Sequence, residues 1–290
     1  MQRKILKPKN FPYLLKQISD PPKELYQIGE LPPEDALYLA VVGSRKFSNY
    51  GKETCEKIIG GLKNNQRKVV IVSGLAIGID GIAHKAAVEN NLTTIAIPGS
   101  GLDEKVLHPR SNVKLSRQII ESGGCLLSEL PWEMPAGIHT FPSRNRIIAG
   151  LCHGVLVIEA AEKSGTLITA KLALDYGRDV FAVPGSIFSE NSKGTNNLIK
   201  EGAALVRRGE DILEFYDIKK ADSRENKQES LDLEFLSPEE QKLYLVLTEP
   251  TAKDELIRKS GLPPAKANSA ISMMLLNGVI KQSGGEVYRA

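Results

Sequence analysis

One pattern recurs from about Leu37 to Val206: a short β-branched run ends in Gly, Ser or Pro and is followed by a stretch of helical periodicity. Seven such runs read as strands, over 37–42, 69–72, 93–97, 125–127, 155–158, 180–183 and 204–206. Several are apolar at every position, which suits strands covered by helices on both faces of a parallel sheet. The pattern predicts a doubly wound α/β fold.

Open sheets of this kind bind ligands outside the carboxyl ends of their strands, where strand order reverses. Those ends carry Gly43-Ser44-Arg45, Ser73-Gly74-Leu75-Ala76, Pro98-Gly99-Ser100-Gly101 and Pro184-Gly185-Ser186, and the run ending at Ile158 leads through Glu159 to Lys163-Ser164-Gly165-Thr166. The echo of IAIPGS in FAVPGS is either an internal repeat or one turn chemistry used twice.

The flanks read differently. Residues 1–36 form a lead-in, proline-punctuated from Asn10 to Pro33, with a short helix and an extended segment. The sheet domain spans 37–217, and 218–233 is a polar, charged linker. In 234–290, helical runs at 238–247, 253–260 and 265–276 precede a strand pair across Ser283-Gly284-Gly285. This is a winged helix-turn-helix pattern, with a small helical cap as the alternative. Seven basic and seven acidic side chains cancel in this segment, and its third helix offers Lys266 alone, which argues against strong major-groove reading.

Charge and composition exclude more than they select. The chain has 38 Lys+Arg, 35 Asp+Glu and 41% hydrophobic residues, as expected of a globular protein, and its net +3 makes any basic surface local. No run approaches the roughly 18 to 20 apolar residues that span a bilayer, and the start lacks a signal peptide's apolar segment, so the expectation is a cytoplasmic protein without membrane contact. Cys55, Cys125 and Cys152 form no C-x-x-C pair, and the four histidines share no ligand spacing, so no metal or cofactor is expected. G-x-x-x-x-G-K-S/T, G-x-G-x-x-G after the first strand, G-x-S-x-G and H-E-x-x-H are all missing, which disfavours the corresponding enzymes.

What remains are loops suited to anions. In Gly43-Ser44-Arg45-Lys46, small residues let backbone N–H groups approach a phosphate and Arg45 supplies a bidentate fork. Ser73, Gly74, Ala76, Gly78 and Asp80 belong to a loop that leads into a helix through two glycines, with Asp80 as N-cap or orienting carboxylate. Either loop alone also reads as a plain strand-to-helix turn. In Phe141-Pro142-Ser143-Arg144-Asn145-Arg146, two cations two residues apart cannot share one buried helix face, so one or both should meet the loops. Together with Arg45 and Lys163, Arg144 and Arg146 are expected on phosphates. Phe141 beside them is either a core ring or a platform for a base. Lys163, Ser164, Gly165 and Thr166 precede another helix and can face a further phosphate.

The ordered series GSRKFSNYG, SGLAIGIDGIAHKAA, PGSGLD, FPSRNRIIAG, EAAEKSGTLITAKLALDYGRDVFAVPGS and GTNNLIKEGA closely resembles the DNA-processing protein A (DprA/Smf) family, over about Phe11 to Tyr216. The resemblance implies an extended Rossmann-like domain that binds single-stranded DNA, dimerises and helps load RecA during natural transformation, with no catalytic residue. A C-terminal winged helix occurs in many members. Three departures stand out: the helical domain preceding the sheet in many relatives is not seen here, Cys152 replaces a usual Ser, and Gly137-Ile138-His139-Thr140 replaces a basic or aromatic residue before the Phe-Pro pair. The rival reading is a nucleotide-processing phosphoribohydrolase-like enzyme on a related sheet. Gly165-Thr166 lacks the acidic residue expected after its turn, leaving Glu159 or Asp80 as substitute bases.

Overall fold

Apolar runs too short for helices become strands where small residues end them. β3 (Leu37–Val42), β4 (Val69–Ser73), β5 (Thr93–Ala96), β6 (Cys125–Ser128), β7 (Gly154–Val157), β8 (Asp179–Ala182) and β9 (Ala204–Leu205) lie within about a residue of their sequence positions. The computed structural model describes residues 3–219, 236–247, 249–277, 279–283 and 285–289. The linker read at 218–233 lies outside them from 220 onward, as does Gly284 of the C-terminal turn.

The sheet has nine strands in the order β1-β2-β6-β5-β4-β3-β7-β8-β9, with β1 (Arg3–Leu6) and β2 (Leu25–Gly29) supplied by the lead-in. β3 to β9 pair in parallel, whereas β2 is antiparallel to β6 and to β1. After β1 and β2 at one edge, the parallel part starts in the middle at β3, steps outward through β4 to β6, then returns to β7 on β3's other side. Strand order therefore reverses between β3 and β7.

Alternation along β3 shows how both faces are covered. Tyr38, Ala40 and Val42 join one core with Leu15, Ile147, Ile148, Ala170 and Ala173, from α1 (Tyr13–Lys16), α5 (Thr140–Leu151) and α6 (Thr166–Asp175). Leu37, Leu39 and Val41 join the other with Ile58, Ile59, Ala83, Ala87 and Ile212, from α2 (Asn49–Gly61), α3 (Ile79–Glu89) and α8 (Gly209–Phe215). A smaller cluster around Leu75, Ile119 and Leu126 seats α4 (Val113–Glu121), and α7 (Lys193–Lys200) follows β8.

His84 of α3 is fully buried, its Nδ1 2.7 Å from Thr94 Oγ1, and burial pulls its pKa down to about 3 from 6.5. A neutral buried imidazole stabilises fully above the unfolded pKa and loses that contribution as pH falls toward the folded one. The slope is about 1.4 kcal/mol per pH unit, so about 2 kcal/mol should be lost between pH 6.5 and 5. Urea unfolding at the two pH values should show this loss in the parent and not in His84→Gln. An equal loss in both would acquit His84.

The chain divides into two compact units, Met1–Ala221 and Asp222–Ala290. In the second, Ser237 caps the helix Pro238–Val246 through a reciprocal bond pair with Glu240, and Gly261, at φ 66°, ends Lys253–Ser260 before Pro264–Leu276. β11 (Ile280–Ser283) and β12 (Glu286–Arg289) form the wing, joined by β10 (Thr251–Ala252), which sequence periodicity had not marked. No helix of the described residues is long and apolar enough to cross a membrane.

Candidate nucleic-acid interface

A cavity of about 620 Å³ opens at the strand-order reversal, between the loops that follow β3 and β7. Gly43, Ser44, Arg45, Lys46, Ala76, Asp80, Phe141, Arg144, Asn145, Ser164, Gly165 and Thr166, all singled out from sequence, line it. Thr169 and Asn191 line it without having been foreseen. Asn191 had one available signal, its place soon after the second Pro-Gly-Ser turn. Asp80 is the one acid among the described residues in the wall.

Glycines set the closeness of the loops. A Cβ on Gly43 would fall 2.7 Å from Ile79 Cγ1, and one on Gly78 would strike Ser44's carbonyl oxygen at a backbone φ of 92°. Ile79 N–H donates to that same carbonyl at 3.2 Å, and Ser44 Oγ accepts from Lys46 N–H at 3.0 Å. The first loop is thus fastened to the start of α3, with Arg45 and Lys46 exposed.

Two of the helix N-termini nearby, those of α2 and α6, differ. Ser48 Oγ accepts from Gly51 N–H at the start of α2, and the Glu159 carboxylate accepts from Ser48 N–H at 2.9 Å and Ser48 Oγ–H at 2.5 Å. That end is capped internally, and Glu159 is buried. No side chain caps α6 at Gly165, although Ser164 Oγ accepts from Thr166 N–H at 3.2 Å. Its positive dipole end forms one wall of the cavity, where negative charge is favoured.

The two arginines of α5 point to different tasks. Arg144 is buried, and its Nη1 donates to the carbonyls of Gly74, at 2.5 Å, and Ile97, while Nε donates to Asn145 Oδ1 at 3.1 Å. It ties α5 to the ends of β4 and β5. Burial lowers its pKa to about 10 even though Asp80 favours its charge. Asp80 accepts from Gly74 N–H at 3.1 Å, and burial raises its pKa against the pull of Arg144. Arg146 pairs with Glu129 at 2.5 Å and Asp20 at 3.3 Å, outside the cavity wall. The sequence reading placed both arginines on phosphates; the structure commits Arg144 to carbonyls and Arg146 to carboxylates. Ser73, buried with Oγ donating to Val41's carbonyl, Gly74, Gly78 and exposed Lys163 also lie outside this wall.

Phe141 joins the two chemistries. Its ring packs against Gly99, where a Cβ would fall 2.6 Å from Cδ1, and meets His108 edge-on at 5.9 Å. The Arg45 guanidinium lies over the ring at 5.2 Å from its centre.

Comparison with known proteins bears on this geometry. The family model described as DNA recombination-mediator protein A matches residues 3–217, and the DprA winged helix domain matches 228–286. DNA processing protein DprA of Streptococcus pneumoniae is 49% identical over 204 residues, 70% of each chain. Protein Smf of Escherichia coli is 47% identical over 208 residues, which are 70% of this chain and 54% of Smf, so the chain spans about half of that relative's length. Among solved structures, the pneumococcal DprA superposes with a TM-score of 0.66 at 44% identity over 73% of both chains. Helicobacter pylori DNA processing protein A, described for its single-stranded DNA binding mode, gives 0.65 at 31% identity over 74% of this chain and 95% of its own. With two family models matched in order and a fold shared with these relatives, the chain belongs to the DprA/Smf family of DNA recombination-mediator proteins.

Proposed function

We propose that this chain binds single-stranded DNA in the cavity between β3 and β7, and that it works as a cytoplasmic homodimer protecting incoming DNA and helping load RecA during natural transformation. The observation that carries the binding role is the Arg45 guanidinium lying on the Phe141 ring at the cavity wall. A cation for the backbone beside a flat surface for a base is how single strands are held without regard to sequence. Backbone amides, Ser44, Ser164, Thr166 and Lys46 supply further donors, while Arg144 positions the loops they stand on.

Tighter binding to single-stranded than to duplex DNA is expected, with affinity falling as salt rises. Equal affinity for both forms, or a flat salt response, would sink this reading. For the later steps, sedimentation should give a homodimer, and strand exchange by a cognate RecA on DNA coated with single-strand-binding protein should be stimulated by this protein. Without stimulation the loading role falls, and a monomer removes the dimer.

The enzyme reading has less support. Glu159 has both carboxylate oxygens on Ser48, and Asp80 accepts from the Gly74 amide. A general base has to reach a substrate proton, and these carboxylates already hold the loops.

A further inference from the structure

We propose that the DNA track continues from the main cavity, over a saddle at Arg45, Ile77 and Phe141, into a second groove between α3 and α4 that takes further phosphates and a further base. This rests on the single-strand reading above. The saddle is a cavity of about 40 Å³ whose wall shares Arg45, Ala76 and Phe141 with the main one. Its Ile77 is also in the wall of a third cavity of about 360 Å³. The three therefore adjoin through shared side chains, and a strand passing Arg45 meets Ile77 next.

The chemistry of the outer groove suits that strand. Lys85 and Lys114 are in its wall, and no acid lines it among the described residues. Lys114 is exposed in the first turn of α4; Lys85, also exposed, has a loose pair with Glu89 at 3.6 Å. Phe47 and Ile77 are 40% and 56% exposed there. Such apolar surface beside cations suits a base and its phosphate together. The groove is also held in shape. Asn112 Nδ2 donates to the carbonyls of Leu75 at 2.9 Å and Ala76 at 3.1 Å, fixing the start of α4 against the loop that carries Ile77.

The test uses the full chain and labelled oligothymidylates of about 4 and about 12 nucleotides, lengths that bracket one and several subsites. Lys85→Gln/Lys114→Gln should bind the short oligonucleotide as the parent does and the long one about ten-fold more weakly. Its salt dependence on the long one should become shallower by about 0.7 in log-log slope for each lysine. Arg45→Ala should weaken both lengths. Unchanged long-oligonucleotide affinity in the double variant, or an equal loss at both lengths, overturns the second groove. A shift from dimer to monomer in that variant assigns the groove to a second copy of the chain and overturns it as well. If the parent ignores single strands, or Arg45→Ala binds both lengths undiminished, the single-strand reading fails and the groove with it.

Discussion

Replacing Arg144 by alanine should lower the unfolding free energy of the sheet unit by about 3–5 kcal/mol, the cost of removing one partner from a buried charged network. The Gly74 and Ile97 carbonyls lose their donor, and buried Asp80 loses the guanidinium that offsets its desolvation. In a unit of this size each kcal/mol moves the melting temperature by about 2–4 °C, so a drop on the order of 10 °C is expected. Gly74→Ala should act in the same direction, because its new Cβ would collide with the Arg144 guanidinium. Thermal melting of both variants decides the matter. A folded Arg144→Ala with the parent's melting temperature and impaired DNA binding would return Arg144 to the role of direct ligand.

Arg45 should show the opposite profile. It is exposed and lies on a ring, so Arg45→Ala should leave melting nearly unchanged while weakening single-strand binding by roughly ten-fold or more, as expected from losing a charge-assisted bond of about 1.5–3 kcal/mol. Affinity should fall in the order Arg, Lys, Ala, Glu, since Lys offers a point charge without the planar fork and Glu repels phosphate. Measuring melting and oligonucleotide affinity on the same samples separates the two arginines. A folded Arg45→Ala with full affinity removes Arg45 from the site.

The strands β3 to β9 were legible because β-branched runs stopped by Gly, Ser or Pro leave little else to form. β1 and β2 were not: Arg3–Leu6 is two basic residues followed by two apolar ones at a sheet edge, without the alternation that marks a half-buried strand, and Leu25–Gly29 is framed by prolines that read as a lead-in. The loops after β3, β4 and β7 were likewise visible, since close backbone approach demands small residues. The fates of Arg144 and Arg146 were half visible. Helical spacing requires them to diverge, yet nothing local says which turns inward. The partners of Arg146, Glu129 and Asp20, come from distant segments. Glu159 misled for a similar reason: it follows a strand end like a catalytic carboxylate, and only folding brings Ser48 onto it.

The seat of Arg45 on Phe141 bears on the kinetics of capture. Long cationic side chains normally surrender much rotamer freedom when they grip a ligand, and loops surrender more. Here the ring fixes the guanidinium, Gly99 and His108 fix the ring, and Arg144 fixes the loop beneath. Little is left to order when a strand arrives. Encounter should then be governed by diffusion and electrostatic steering, in a single phase without a slow isomerisation, and differences among variants should appear in how long the strand stays.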